Sequence, residues 1–142
     1  VTQNGDSVSI RQPPGERNAL GFVKFNLPNE HAVYLHDTPL RKLFVNAERA
    51  YSHGCVRVEN PFALATAVLA DPRYPEDMLK ARIGRDEHSI KLAEPLPVHI
   101  AYFTLMPDET GQLHRYGDVY GYDQAVETAL GLGQAKTYAS LR

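Results

Sequence analysis

Short runs of β-branched and aromatic residues, each cut off by proline, glycine or asparagine, set the tightest limit on how this chain can fold. "LGFVKFNL" (residues 20–27) and "HAVYLHD" (31–37) read as two strands separated by the turn signal Pro28-Asn29, and "VRV" (56–58) as a short extended segment. The stretch from Ser89 to Gly117 reads as a strand, a proline-bounded link, a longer strand from Val98 to Leu105, a turn at "PDETG" and a returning strand. The opening "VTQNGDSVSIRQPPGERNALG" is loop-forming, with one short strand near Val8 to Ile10 and a turn at "PPG".

Helical signals are fewer. "PLRKLF" allows one or two turns behind Pro39. "NPFALATAVLAD" predicts a helix with Asn60 as N-cap, Pro61 at its first position and Phe62, Leu64, Ala65, Val68 and Leu69 along one face. "YPEDMLKARIG" predicts a second, with Pro75 and two acids in its first turn and Gly84 as its stop. "QAVETALGLGQAKTYASL" closes the chain as a helix weakened by Gly131 and Gly133. The fold class is therefore mainly β with peripheral helices. No repeat or linker divides the 142 residues, so residues 1–142 are expected to form a single domain. A net charge of −2 offers no basic footprint for nucleic acid. No apolar run approaches the ~20 residues that cross a bilayer. Starting at Val1, without a leader-like segment, the chain is expected to be a processed product or an excerpt.

The chemistry gathers in "RAYSHGCVRVEN" (49–60), which holds the one cysteine, Cys55. A lone cysteine excludes an internal disulfide. It leaves three readings: a buried packing residue, a metal ligand, or a nucleophile. His36, His53 and Cys55 are all legitimate zinc ligands, yet a structural site wants four, and no second thiolate exists. For the nucleophile reading, a nearby histidine takes the thiol proton. Ionisation alone gains only about threefold, because a less basic thiolate is also less reactive. Positioning and oxyanion stabilisation must supply the rest. Gly54 allows a sharp turn, from which the Gly54 and Cys55 amides are expected to converge on an oxyanion. His36, at the end of a strand and seventeen positions before His53, is a second histidine that makes the pattern considerably more specific. His31, His88, His99 and His114 read as surface or strand residues, with His99 pointing outward from a half-buried strand; Tyr34 and Tyr51 have two readings, lining a cleft or packing beside the strands, and packing is the commoner role.

"YLHDTP" followed by "YSHGCVRVENPFALA", with the ending "YFT…DVYGYD", resembles the L,D-transpeptidase catalytic domain (YkuD type) over roughly residues 10 to 123. The likeness is greatest to its large periplasmic branch with an HDTP motif. The resemblance implies a YkuD-like fold of which this chain is the C-terminal portion, lacking the N-terminal strands and a capping insertion. It implies a cysteine-dependent acyltransferase of peptidoglycan synthesis, hence of cell-wall biogenesis and cell shape. Cys55 would attack the peptide bond after the meso-diaminopimelate of a tetrapeptide stem, D-alanine would leave, and a stem amine would resolve the thioester into a 3→3 cross-link. By position, His36 would be the general base, oriented by the backbone carbonyl of Asp37, while the Asp37 carboxylate would raise its basicity. His53 and Gly54 would complete the oxyanion environment. Ser52 and Tyr51 would lie beside the substrate, and Arg57 would bind a stem carboxylate or support the loop. No cofactor and no metal are implied; the partners would be donor and acceptor stem peptides and carbapenem inhibitors, in the periplasm. The alternatives are an L,D-carboxypeptidase or cross-link hydrolase on the same substrate, and a wall-binding fragment without turnover.

Overall fold

A computed structural model describes residues 2–132 of the chain, in two compact units, Val1–Val98 and His99–Arg142. Most of the described length is neither helix nor sheet, with short strands and few helices, in keeping with the mainly β expectation. In the first unit, β1 (Thr2–Asn4) and β2 (Ser7–Ser9) form an antiparallel hairpin. Ile10, expected in that strand, lies beyond it and is 81% exposed.

The sheet that matters for function has three strands, β3 (Lys24–Phe25), β4 (Leu35–His36) and β5 (Val56–Arg57), in that order. β4 is central. It pairs antiparallel with β3, Lys24 opposite His36, and parallel with β5, Leu35 beside Val56 and His36 beside Arg57. A parallel pair needs a crossover rather than a hairpin. Residues 37–55 make it, and they contain a 3₁₀ turn, Arg41–Val45, closed by Leu43 N–H to Leu40 and Asn46 N–H to Leu43.

Helices α1 (Pro61–Leu69) and α2 (Glu76–Lys80) follow, packed on each other around Ala65 and Leu79. Pro61 holds the first position, as expected. Asn60 precedes it, but its side chain makes no capping bond; its ψ of 71° leaves the extended geometry from which a cap side chain reaches the first amides. Its backbone carbonyl accepts Leu64 N–H at 3.0 Å instead. Pro75 stands just ahead of α2, whose first turn carries Glu76 and Asp77; Glu76 pairs with Lys80 at 2.5 Å.

In the second unit, β6 (Leu105–Pro107) and β7 (Leu113–Arg115) form a hairpin, followed by α3 (Tyr122–Ala129). Asp118 accepts the amides of Tyr122 and Asp123 and the Tyr102 hydroxyl at 2.8–3.0 Å. That satisfies donors the start of α3 would otherwise leave open. The expected strand from Val98 to Leu105 does not form, nor does the one beginning at Ser89; strand pairing starts only at Leu105. Pairing rather than propensity makes a strand, and Ile100 and Phe103, each 60% exposed, have none among the described residues. His99 is exposed, as are both its neighbours. Of the expected C-terminal helix, the part beyond 132, including Gly133, lies outside the described residues.

Candidate active site

β4 ends in His36, and the chain then runs through Asp37 and Thr38, exposed by 5%, 1% and 2%. Polar groups so deeply buried must find partners. His36 Nδ1 lies 2.5 Å from the carbonyl oxygen of Asp37. A carbonyl only accepts, so in the neutral ring Nδ1 carries the hydrogen and Nε2 keeps the lone pair. Asp37 is itself held on three sides. Its amide donates to Val23 at 2.8 Å, Oδ2 accepts Phe22 N–H at 2.9 Å, and Oδ1 accepts Arg41 Nη2 at 2.7 Å. Arg41 Nη1 donates in turn to the Glu59 carbonyl at 2.6 Å.

The loop leading into β5 is closed by its own side chains. Asn46 donates to the Tyr51 hydroxyl at 2.8 Å, and Arg57 Nη1 to the Tyr51 carbonyl at 3.2 Å. The Ser52 hydroxyl donates to the Cys55 carbonyl at 2.5 Å and accepts Gly54 N–H at 3.0 Å. Gly54 has φ +145°, a conformation reserved for glycine, and a Cβ there would meet Val33 Cγ2 at 3.0 Å. Cys55 emerges half-buried, one residue before β5. Alternation puts it on the face of Arg57, the register partner of His36. Two register steps, roughly 6–7 Å along the ladder, separate its level from that of His36.

A third segment borders the thiol. Asn29 accepts the amides of His31 and Val33 and donates to the carbonyls of Leu27 and Val33, all within 2.7–3.1 Å. The turn it templates contains Ala32 at φ +51°, left-handed for a residue with a Cβ. The Ala32 carbonyl accepts the Cys55 thiol at 3.8 Å.

Among the residues expected at the site, His36, Asp37, Ser52, Gly54, Cys55 and Arg57 are thus brought onto or beside two adjacent strands. His53 is exposed, without a hydrogen bond among the described residues; Tyr51 is 48% exposed. The Cys55 thiol makes no hydrogen bond to the His36 ring; such contacts often tighten only when substrate arrives. The Gly54 amide, expected to be open, is turned onto Ser52, because the hydroxyl two residues back offers the nearest acceptor. Arg57 supports the loop. The Asp37 carboxylate is directed to Phe22 and Arg41. Tyr34 lies under Lys24, whose Nζ is 3.8 Å from the ring centre. Among the described residues, no three His, Cys, Asp or Glu side chains gather as a metal would require, and no helix is long and apolar enough to cross a membrane.

Sequence reasoning missed Arg41 and Gly21, and read Asn29 only as a turn signal, not as the residue whose turn borders the thiol. Arg41 follows Asp37 by four positions, the spacing of an ion pair on one helical turn, so its signal was present.

Compared with known proteins, the chain matches the family described as the L,D-transpeptidase catalytic domain (YkuD) over residues 2–100. It is also similar to a Haemophilus influenzae protein named "Putative L,D-transpeptidase", with 38% identity over 121 residues. That match covers 84% of this chain and 24% of the relative, so the chain spans about a quarter of the relative's length.

Proposed function

The chain belongs to the YkuD family of L,D-transpeptidase catalytic domains, and from that premise we propose that it acts as a peptidoglycan L,D-transpeptidase with Cys55 as nucleophile and His36 as general base. The observation that supports this most is the pairing of β4 with β5, which sets His36 beside Arg57, two residues after Cys55, while the Asp37 carbonyl fixes the ring tautomer.

In the proposed reaction, His36 Nε2 takes the Cys55 proton as sulfur attacks the carbonyl carbon of the diaminopimelyl–D-alanine bond. Oxyanion charge falls on the Cys55 amide, which has no partner among the described residues, within the turn made by His53 and Gly54. The same proton passes to the departing D-alanine amine, leaving a thioester. A stem-peptide amine then attacks, surrenders its proton to His36, and forms the 3→3 cross-link as the Cys55 sulfur leaves. Ser52 and Arg57 hold the loop, and Tyr51 lies beside the entering peptide. The partners are donor and acceptor stems, the inhibitors carbapenems, and the compartment the periplasm, since that is where the wall lies.

Intact-mass spectrometry of the full-length enzyme with a carbapenem tests the reading. A single adduct is expected on wild type and none on Cys55→Ala; an unmodified wild type would overturn it. Product analysis with acceptor peptide then distinguishes cross-linking from hydrolysis. Free tripeptide stem and D-alanine without dimer would replace transpeptidation by carboxypeptidase or hydrolase chemistry.

A further inference from the structure

We propose that Arg41 is a positioning residue for the thiol–imidazole pair, and that it also neutralises the buried charge beside the base. The proposal rests on the reading of Cys55 and His36 as nucleophile and base. Arg41 is anchored at two points, each just past the end of a different strand. Nη2 binds the carboxylate of Asp37, the residue whose carbonyl holds the His36 ring, and Nη1 binds the carbonyl of Glu59, just beyond β5 and four residues after Cys55. One planar guanidinium therefore ties the end of the base-bearing strand to the exit of the nucleophile-bearing strand. A rigid two-donor fork suits this task better than a flexible ammonium.

The electrostatic half follows from burial. The Asp37 side chain is 2% exposed and Arg41's 51%, so the carboxylate is desolvated while its partner reaches water. The charged and titratable groups around His36 are few. β3 brings Lys24, its register partner, which lies over the Tyr34 ring. β5 brings Arg57, turned to the Tyr51 carbonyl, and ahead of it Cys55. The segment after β4 brings Asp37 and Arg41. Arg41 is thus the ionic partner of the Asp37 carboxylate among the described residues. Without it, the buried negative charge would favour imidazolium and disfavour thiolate. The direct effect on the thiolate moves thiol reactivity toward higher pH, the more charged ring offsetting part of it.

The test is the pH dependence of Cys55 alkylation by iodoacetamide on the full chain, a probe that needs no peptide substrate, with carbapenem acylation measured alongside. Arg41→Gln should move the alkylation profile to higher pH by roughly one unit, about a fivefold slower reaction at the wild-type midpoint. Asp37→Asn, close in shape and so the safer fold, should move it the opposite way, because the guanidinium is then uncompensated. Combining the two should return the profile to near wild type. Arg41→Lys should restore the profile, yet leave carbapenem acylation below wild type, since one ammonium cannot hold both anchors. Unmoved single-variant profiles, or a displacement that persists in the double variant, overturn the proposal while leaving the transpeptidase reading intact. A wild type that behaves as an unassisted thiol and resists carbapenem overturns the reading itself, and the proposal with it.

Discussion

Gly21 stands where Asp37 leaves no room for a side chain: a Cβ built on it would meet Oδ2, with Cγ at 2.5 Å and the Asp37 Cβ at 2.6 Å. The turn ahead of β3 is thus pressed against the residue that orients His36. Gly21 also has φ +61°, left-handed, which costs a side chain about 1 kcal/mol. Overpacking against a buried ion pair adds roughly 1–3 kcal/mol. Gly21→Ala is therefore expected to lower stability by about 2–4 kcal/mol in urea unfolding and to slow Cys55 acylation in the population that remains folded. A loss below about 0.5 kcal/mol would mean that Asp37 moves aside freely.

Gly54 makes the corresponding demand on the nucleophile side. At φ +145° only glycine is comfortable, and the neighbouring Val33 methyl leaves 3.0 Å for a Cβ. Strain of this kind costs on the order of 1–3 kcal/mol. Gly54→Ala should abolish acylation by carbapenem while Cys55 stays open to small alkylating reagents, because the change twists the turn rather than burying the sulfur. Mass spectrometry with both reagents on one sample reads the outcome, and retained acylation would count against the turn's role.

Much of this was legible in the sequence, for identifiable reasons. A histidine at a strand end, a glycine between histidine and cysteine, and a proline opening α1 are local signals, and each lies where its pattern placed it. The segment from Ser89 to Phe103 misled because alternation announces a strand without supplying its partner, and Ile100 and Phe103 stand exposed without a strand partner among the described residues. Arg41 was hidden differently. Its contact with Asp37 is local, but its meaning depends on the Glu59 carbonyl, eighteen residues on, which no spacing rule reveals. The Ser52–Gly54 bond was legible only as a possibility, since "SHG" permits both an open amide and a closed one.

Away from the site, α1 ends on Ala70, whose φ of 47° places it in the left-handed region while its amide bonds to Thr66 at 3.1 Å. Glycine is the usual residue for that cap. The relief of a Cβ from left-handed geometry exceeds the extra chain entropy of glycine, for a net gain of about 0.5–1 kcal/mol. Ala70→Gly should therefore raise the thermal midpoint by a few degrees without changing acylation kinetics; a lowered midpoint would contradict the left-handed cap.

In the second unit, Asp108 closes the β6–β7 turn. The Thr110 hydroxyl and His114 beside its carboxyl hold its pKa down to about 2, with the Thr110 and Gln112 amides adding to the effect. A depressed carboxylate stabilises the folded form above its unfolded value near 3.8, and that contribution is lost as pH falls from there through about 2. The hairpin should accordingly loosen over this window, and Asp108→Asn should remove the dependence. Carboxyl chemical shifts across an acid titration check the midpoint, and Thr110→Val should move it upward. A wild-type midpoint at the ordinary value would remove the turn's acid sensitivity.

Ser52 poses the sharpest choice at the site, because removing its hydroxyl has two effects of opposite sign. Ser52→Ala frees the Gly54 amide, and one additional well-aimed oxyanion donor is worth about 10²–10³ in rate. It also releases the Cys55 carbonyl, so the turn that aims the Cys55 amide loses its staple. Catalytic donors act through orientation, and an ångström of misplacement costs about a hundredfold. An amide gained on a turn that no longer holds its geometry does not repay that loss. Acylation by carbapenem should therefore fall roughly 10–100-fold in Ser52→Ala, with reversible binding changed far less, and Ser52→Thr should recover most of the rate because its hydroxyl can make the same two bonds. Stopped acylation time courses resolved by mass give the rate and the binding constant separately. A rate in Ser52→Ala equal to or above wild type would show that the open amide outweighs the staple, and that Ser52 restrains the nucleophile rather than preparing it.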